Sequence, residues 1–129
     1  MRIALIADSY MPEKSSAAIM MEDLANSLCE KKHSVSVIVP DSGLENGLEI
    51  KMDKGVEVIR VSTPSIKNKN YFKRTFFELI MPFIIYINLS KNKLVRQRYD
   101  GIVWYSPSIF FVPLIYLLKK HNSCKTYLI

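Results

Sequence analysis

Five short apolar runs alternate with stretches of helical spacing along the chain. Arg2 to Ala7 carries Ile3, Ala4, Leu5 and Ile6 without a break before Asp8 closes it, as in a strand covered on both faces of a parallel sheet. After the polar loop Asp8 to Ser15, apolar residues recur at Ala17, Met20, Met21, Leu24, Ala25 and Leu28. That spacing predicts a helix, with Ser15 or Ser16 as its N-cap and Lys31, Lys32 and His33 at its C-terminal end. Ser34 to Val39 reads as a second strand ended by Pro40, Asp41 to Gly55 as a turn-rich stretch, and Val56 to Val61 as a third strand. The strand, helix, strand order predicts a βαβ unit and a doubly wound parallel α/β sheet, Rossmann-like, in the strand order 3-2-1-4-5.

The second half is greasier. Tyr71 to about Arg98 has a helical pattern with Phe76, Phe77, Phe83, Ile84, Ile85 and Leu89 in it, and Pro82 inside should kink or split that helix. Gly101 to Tyr105 is the fourth strand. Ser106 and Pro107 suit the start of a helix through Lys120, which Pro113 should bend, and Lys125 to Ile129 forms a fifth strand. That strand closes the sequence with Tyr127, Leu128 and Ile129 and no helix after it, so the sequence alone suggests a domain completed by further chain or by a partner.

Composition narrows this in two ways. A length of 129 residues at 49% hydrophobic content fits one domain, 1–129. The net charge of +6 conceals an asymmetry: residues 1–64 carry 7 Lys and Arg against 10 Asp and Glu, residues 65–129 carry 11 against 2. The basic excess therefore surrounds the apolar run, a pairing that suits an anionic membrane surface first and nucleic acid second. No nucleic acid is expected, because the basic residues flank aliphatic rather than stacking aromatic positions. Met1 and Arg2 lead into a run too short for a secretory h-region, so the expected location is the cytoplasm, with peripheral attachment to the inner face of the membrane as the variant of it. Cys29 and Cys124 suit a reducing compartment.

The run Phe76 to Leu89 would reach about 21 Å as a helix, short of the roughly 30 Å of a bilayer core. Two readings stay open. The run is a buried helical core, or it dips into one leaflet with Lys73, Arg74, Phe76, Phe77, Phe83, Lys91, Lys93 and Arg96 facing the membrane. Cys29 with His33 and His121 with Cys124 have metal-like spacing, but strands three places apart separate the pairs by roughly 14 Å, so no metal site is expected.

In open α/β sheets ligands bind beyond the carboxyl ends of the strands. The loop after the first strand also meets a helix N-terminus, whose amides and dipole favour an anion. Pro12, Glu13, Lys14, Ser15 and Ser16 are the candidates there, and Ser106 at the matching end of the fourth strand. The plain alternative is that Pro12 shapes the turn, Ser16 caps the helix and Glu13 is a solvated charge. No glycine-rich dinucleotide or Walker loop and no Ser/His/Asp set occurs, and no cofactor is expected.

The stretch Ser9-Tyr10-Met11-Pro12-Glu13-Lys14-Ser15-Ser16, the helix ending Lys32-His33-Ser34-Val35, the segment Tyr99-Asp100-Gly101-Ile102-Val103-Trp104-Tyr105-Ser106-Pro107 and the closing Cys124-Lys125-Thr126-Tyr127-Leu128-Ile129 together resemble the N-terminal domain of family 4 glycosyltransferases of the GT-B fold. Within that family the resemblance is to the O-antigen and capsule branch with fucosaminyltransferase-type members. It implies a retaining sugar transfer from a nucleotide-sugar donor to a lipid-linked saccharide acceptor at the cytoplasmic face of the membrane. The donor would be held mainly by a C-terminal domain, leaving this chain inactive alone. In place of the family's Gly-Gly pair stands Lys14-Ser15-Ser16, and Lys32 replaces its glycine before the turn histidine. Two other expectations remain beside it: a non-catalytic, membrane-facing subunit whose donor half is a partner chain, and a basic membrane or nucleic-acid binding module.

Overall fold

The computed structural model describes residues 1–45, 47–64, 70–92, 98–105 and 111–129. The strands are β1 (Arg2–Ile6), β2 (Ser34–Asp41), β3 (Leu48–Asp53), β4 (Val56–Ser62), β5 (Gly101–Trp104) and β6 (Lys125–Leu128), and the helices are α1 (Ser16–Glu30), α2 (Tyr71–Lys91) and α3 (Val112–Asn122). The strands form one sheet in the order β3-β4-β2-β1-β5-β6. All pairs are parallel except β3 with β4. The sheet is doubly wound, as the apolar runs predict, and the five expected strands take the expected order.

The antiparallel β3 corrects the reading of Asp41 to Gly55 as turns alone. Leu48, Ile50 and Met52 alternate with Glu49, Lys51 and Asp53, and a two-residue turn at Lys54 and Gly55 returns the chain into β4. Both turn residues have positive φ, 51° and 84°. A type I′ turn needs that pair of values, and glycine supplies the second without steric penalty.

Side chains alternate across β1, so Ala4 and Ile6 point to one face and Ile3 and Leu5 to the other. Leu5 packs with Met21 and Ala25 of α1 and with Val35, Val37 and Val58. Ile6 packs with Ile38, Ile59, Ile85 and Leu89 of α2, and Leu114 and Leu118 of α3. Each layer is thus one helical stripe against one set of alternating strand positions.

The helix ends follow local rules. Ser15 caps α1, its Oγ accepting the Ala18 N–H at 3.1 Å, so the cap is Ser15 rather than Ser16. At the other end the Lys32 N–H donates to the Cys29 carbonyl and the His33 N–H to the Leu28 carbonyl. This is a Schellman closure, with Lys32 at φ 65° where glycine is the usual residue.

The two inner prolines leave their helices whole. Of the kink or split expected at Pro82, the split does not occur, and α2 runs from Tyr71 to Lys91 as one helix. The residue loses one backbone hydrogen bond, but Pro82, Ile85 and Leu89 are all buried on the core-facing stripe, and that packing spans the missing bond. Pro113 does not bend α3, because it lies in that helix's first turn, where its absent N–H has no intrahelical partner to lose. The α2 helix ends at Lys91 with Asn92 as C-cap, short of Arg98.

Candidate functional site

A cleft of about 860 Å³ opens beyond the carboxyl ends of β1, β2 and β4. Its floor is the chain leaving β1, with Asp8, Ser9 and Tyr10, and one wall is the turn Pro12, Glu13 and the start of α1 at Ser15 and Ala17. Val39, Pro40, Asp41 and Ser42 from the end of β2, and Arg60 from β4, form the other wall.

The wall at Pro12 is a tight turn. The Met11–Pro12 peptide is cis, and the Glu13 N–H donates to the Tyr10 carbonyl at 3.2 Å, the arrangement of a type VI turn. Arg60 holds it from across the cleft. Its Nη2 donates to the Met11 carbonyl, and its Nη1 lies 3.9 Å from Asp41 Oδ2. Asp41 is itself positioned by accepting the Gly43 N–H at 2.8 Å through Oδ1. At partial exposure the ion pair contributes little to stability. Its effect is geometric, tying the first loop to the end of β2 through a planar guanidinium that can donate in several directions.

Below this wall, Ser9 Oγ and Ser15 Oγ are 3.1 Å apart, so the hydroxyl that caps α1 also joins the floor to the helix. The buried Tyr10 phenol is pushed up to about 12, first by desolvation and then by Glu22, Asp53 and Cys29, with Arg60 acting in the opposite direction. It stays neutral at ordinary pH.

The expected first-loop residues divide. Pro12, Glu13 and Ser15 line the cleft, whereas Lys14 and Ser16 are exposed and do not. Ser106 lies outside the described residues. Tyr10, Asp41 and Arg60 were not among the sequence candidates. Arg60 had a legible signal, as the lone cation of β4 near its carboxyl end, between the apolar Ile59 and Val61. Asp41 had none, since it meets Arg60 only through the parallel register of β2 and β4.

Charge on the walls changes the anion reading of this loop. Three carboxylates, Asp8, Glu13 and Asp41, stand against the single guanidinium of Arg60, which is already engaged. Such a lining disfavours a phosphate by simple repulsion. Its hydroxyls, carboxylates and N–H donors instead match a neutral polyhydroxylated ligand.

Among the membrane-facing candidates, Lys73, Arg74, Phe76, Phe83 and Lys91 are exposed on α2. Phe77 is half-buried, turned off the exposed stripe with its ring edge-on to Phe76. Lys93 and Arg96 lie outside the described residues. Among the described residues no group of His, Cys, Asp and Glu could hold a metal ion. Cys29 packs on the α1 side of the sheet and Cys124 on the other.

No family model matches the sequence, and no curated protein is significantly similar to it. Solved structures share its fold. The C-terminal domain of a hydrogenase from Pyrococcus furiosus matches with a TM-score of 0.59 at 12% identity, over 98% of this chain and 88% of that one. A UGT transferase from Siraitia grosvenorii in complex with UDP matches at 0.56 and 12% identity, over 99% of this chain and 27% of that one. The Escherichia coli trehalose-6-phosphate structure bound with UDP-2-fluoro glucose matches at 0.58 and 10% identity, over 99% of this chain and 32% of that one. The chain is a Rossmann-like α/β domain resembling GT-B and UDP-glycosyltransferase fold members at low identity. It spans about a third or less of those two nucleotide-bound proteins. The likeness is one of fold and singles out no fucosaminyltransferase-type branch.

Proposed function

We propose that this domain is the acceptor-binding half of a glycosyltransferase, and that the cleft holds the saccharide of a lipid-linked acceptor in bacterial surface polysaccharide synthesis. The observation that carries the reading is the cleft itself: a polar site lined by hydroxyls and carboxylates, beyond the carboxyl ends of β1, β2 and β4. That is where a doubly wound sheet places its ligand. The resemblance of the first loop and the fold likeness to the UDP-bound transferase support it.

In this reading Glu13 and Asp41 accept hydrogen bonds from sugar hydroxyls, and Arg60 keeps the first loop in register with β2. The nucleotide sugar is held by a second unit, in the same polypeptide or in a partner chain. NMR of the chain titrated with a water-soluble, short-chain lipid-diphosphate disaccharide tests this. The Ser9, Tyr10, Glu13 and Ser15 amides and the Arg60 side chain should shift with the disaccharide and stay unmoved by UDP-glucose. The reverse pattern, or sugar transfer by this chain alone, contradicts the assignment.

One observation keeps the non-catalytic reading in play. The hydrogenase domain that matches is nearly as short as this chain, so the same sheet also occurs outside a transferase. A chain that binds the disaccharide but supports no transfer with any donor-binding partner favours that second reading.

A further inference from the structure

The outward face of α2 serves neither the core nor the cleft. Phe72, Phe76, Leu79, Phe83 and Ile87 are 84%, 60%, 54%, 50% and 51% exposed. Their spacing of three and four positions sets them in one stripe along the helix. The core-facing stripe is a different one, Pro82, Ile85 and Leu89, so folding does not require the outer residues to be apolar. The three phenylalanine rings alone leave on the order of 400 Å² of apolar surface. That is the size of the largest apolar patch on an ordinary monomer, and such patches often carry function.

Charge identifies what covers it. Lys73 stands exposed in the first turn of α2 and Lys91 in the last, whereas Arg74, two positions from both Phe72 and Phe76, lies on the side away from the stripe. Lys73 and Lys91 are about five whole turns apart, hence on the same flank of the stripe. Glu78, the one acidic residue of α2, is drawn to Arg74 at 3.4 Å with 18% of its side chain exposed. A second copy packed on this face would bring like-charged flanks together. An apolar stripe with a basic border instead matches a bilayer carrying anionic headgroups. Among the described residues no helix is long and apolar enough to cross a membrane.

We infer that α2 is an in-plane anchor for an anionic lipid surface, with Phe72, Phe76, Leu79, Phe83 and Ile87 entering the acyl boundary and Lys73 and Lys91 meeting the headgroups. As the crossover between the parallel strands β4 and β5, α2 begins at the carboxyl end of the sheet, the end where the cleft opens. Its most exposed large apolar residues, Tyr71 at 79% and Phe72 at 84%, are at that end. Docking therefore sets the cleft mouth beside the headgroups. The anchor rests on the geometry of α2 alone and does not depend on the transferase reading.

Flotation of the 129-residue chain with phosphatidylcholine vesicles, with and without phosphatidylglycerol, tests it. The chain should float with the anionic vesicles and lose binding as salt rises. Phe72→Ser with Phe76→Ser should weaken binding roughly tenfold or more, and Lys73→Glu with Lys91→Glu should erase the preference for phosphatidylglycerol. A Phe76→Trp variant should be quenched by brominated lipid chains. A chain folded by circular dichroism that floats with neither vesicle overturns the inference, as does binding unchanged in the double serine variant. A dimer in sedimentation that this variant abolishes, without vesicle binding, also overturns it and assigns the stripe to self-association. None of these outcomes depends on whether the cleft takes a saccharide.

Discussion

α1 and α2 each bury three side chains against opposite faces of one sheet, Ala18, Met21 and Ala25 in the first case and Pro82, Ile85 and Leu89 in the second. Outside that stripe they diverge. α1 turns Asp23, Ser27 and Glu30 to solvent, with exposed Ile19 and Met20 near its cleft end. α2 keeps apolar residues exposed along its whole length. The hydrophobic content of a helix is therefore a poor measure of its contribution to the fold, and the surplus on α2 is surface chemistry.

The comparison can be broken most decisively at the two core stripes. Met21→Ala and Leu89→Ala should each destabilise the domain by about 2–5 kcal/mol in urea unfolding. A cost near zero at Leu89 would mean that α2 is docked only loosely. Alkaline titration comes next. The Tyr10 phenol ionises near 10 in the unfolded chain and near 12 in the folded one. Its contribution is present in full below pH 10 and is lost as pH rises toward 12, by up to about 3 kcal/mol. Tyr10→Phe should flatten that decline. Tyr99, in the cluster on the α2 side, is also raised by burial, so the residual slope reports the opposite face.

Ser15→Ala should remove about 1 kcal/mol by deleting the α1 cap, read as a lower melting temperature. α2 offers no equivalent target, since Asn70 makes no side-chain capping bond. The smallest effect is expected on the outer stripe. Phe72→Ser with Phe76→Ser should change stability by less than about 0.5 kcal/mol per site. A loss comparable to that of Met21→Ala would return those rings to the core.

Much of the fold was legible because periodicity reports burial. The uninterrupted run Ile3 to Ile6 and the spacing of Met21 and Ala25 place β1 and α1 directly. Leu48 to Asp53 escaped although Leu48, Ile50 and Met52 alternate with three charged residues, because this short run sits among the turn signals Asp41, Gly43, Gly47 and Gly55. The split that Pro82 suggested does not occur because proline's local penalty is read without the packing that offsets it, a term set by partners far along the chain. The cleft was half legible. A loop after β1 is an obvious ligand position, but the Arg60 to Asp41 and Met11 contacts join residues 19 and 49 positions apart and exist only once the sheet has formed.

The turn at Lys54 and Gly55 has a consequence for the order of events during folding. β3 and β4 are sequence neighbours whose ends meet across two residues, so this pair can close on the order of microseconds. The parallel pairs join strands with a whole element between them, β3 in the case of β2 with β4 and at least one helix in the others, a slower search through non-local contacts. The hairpin is thus a natural early template, and β2 adds to a β4 whose register is already set.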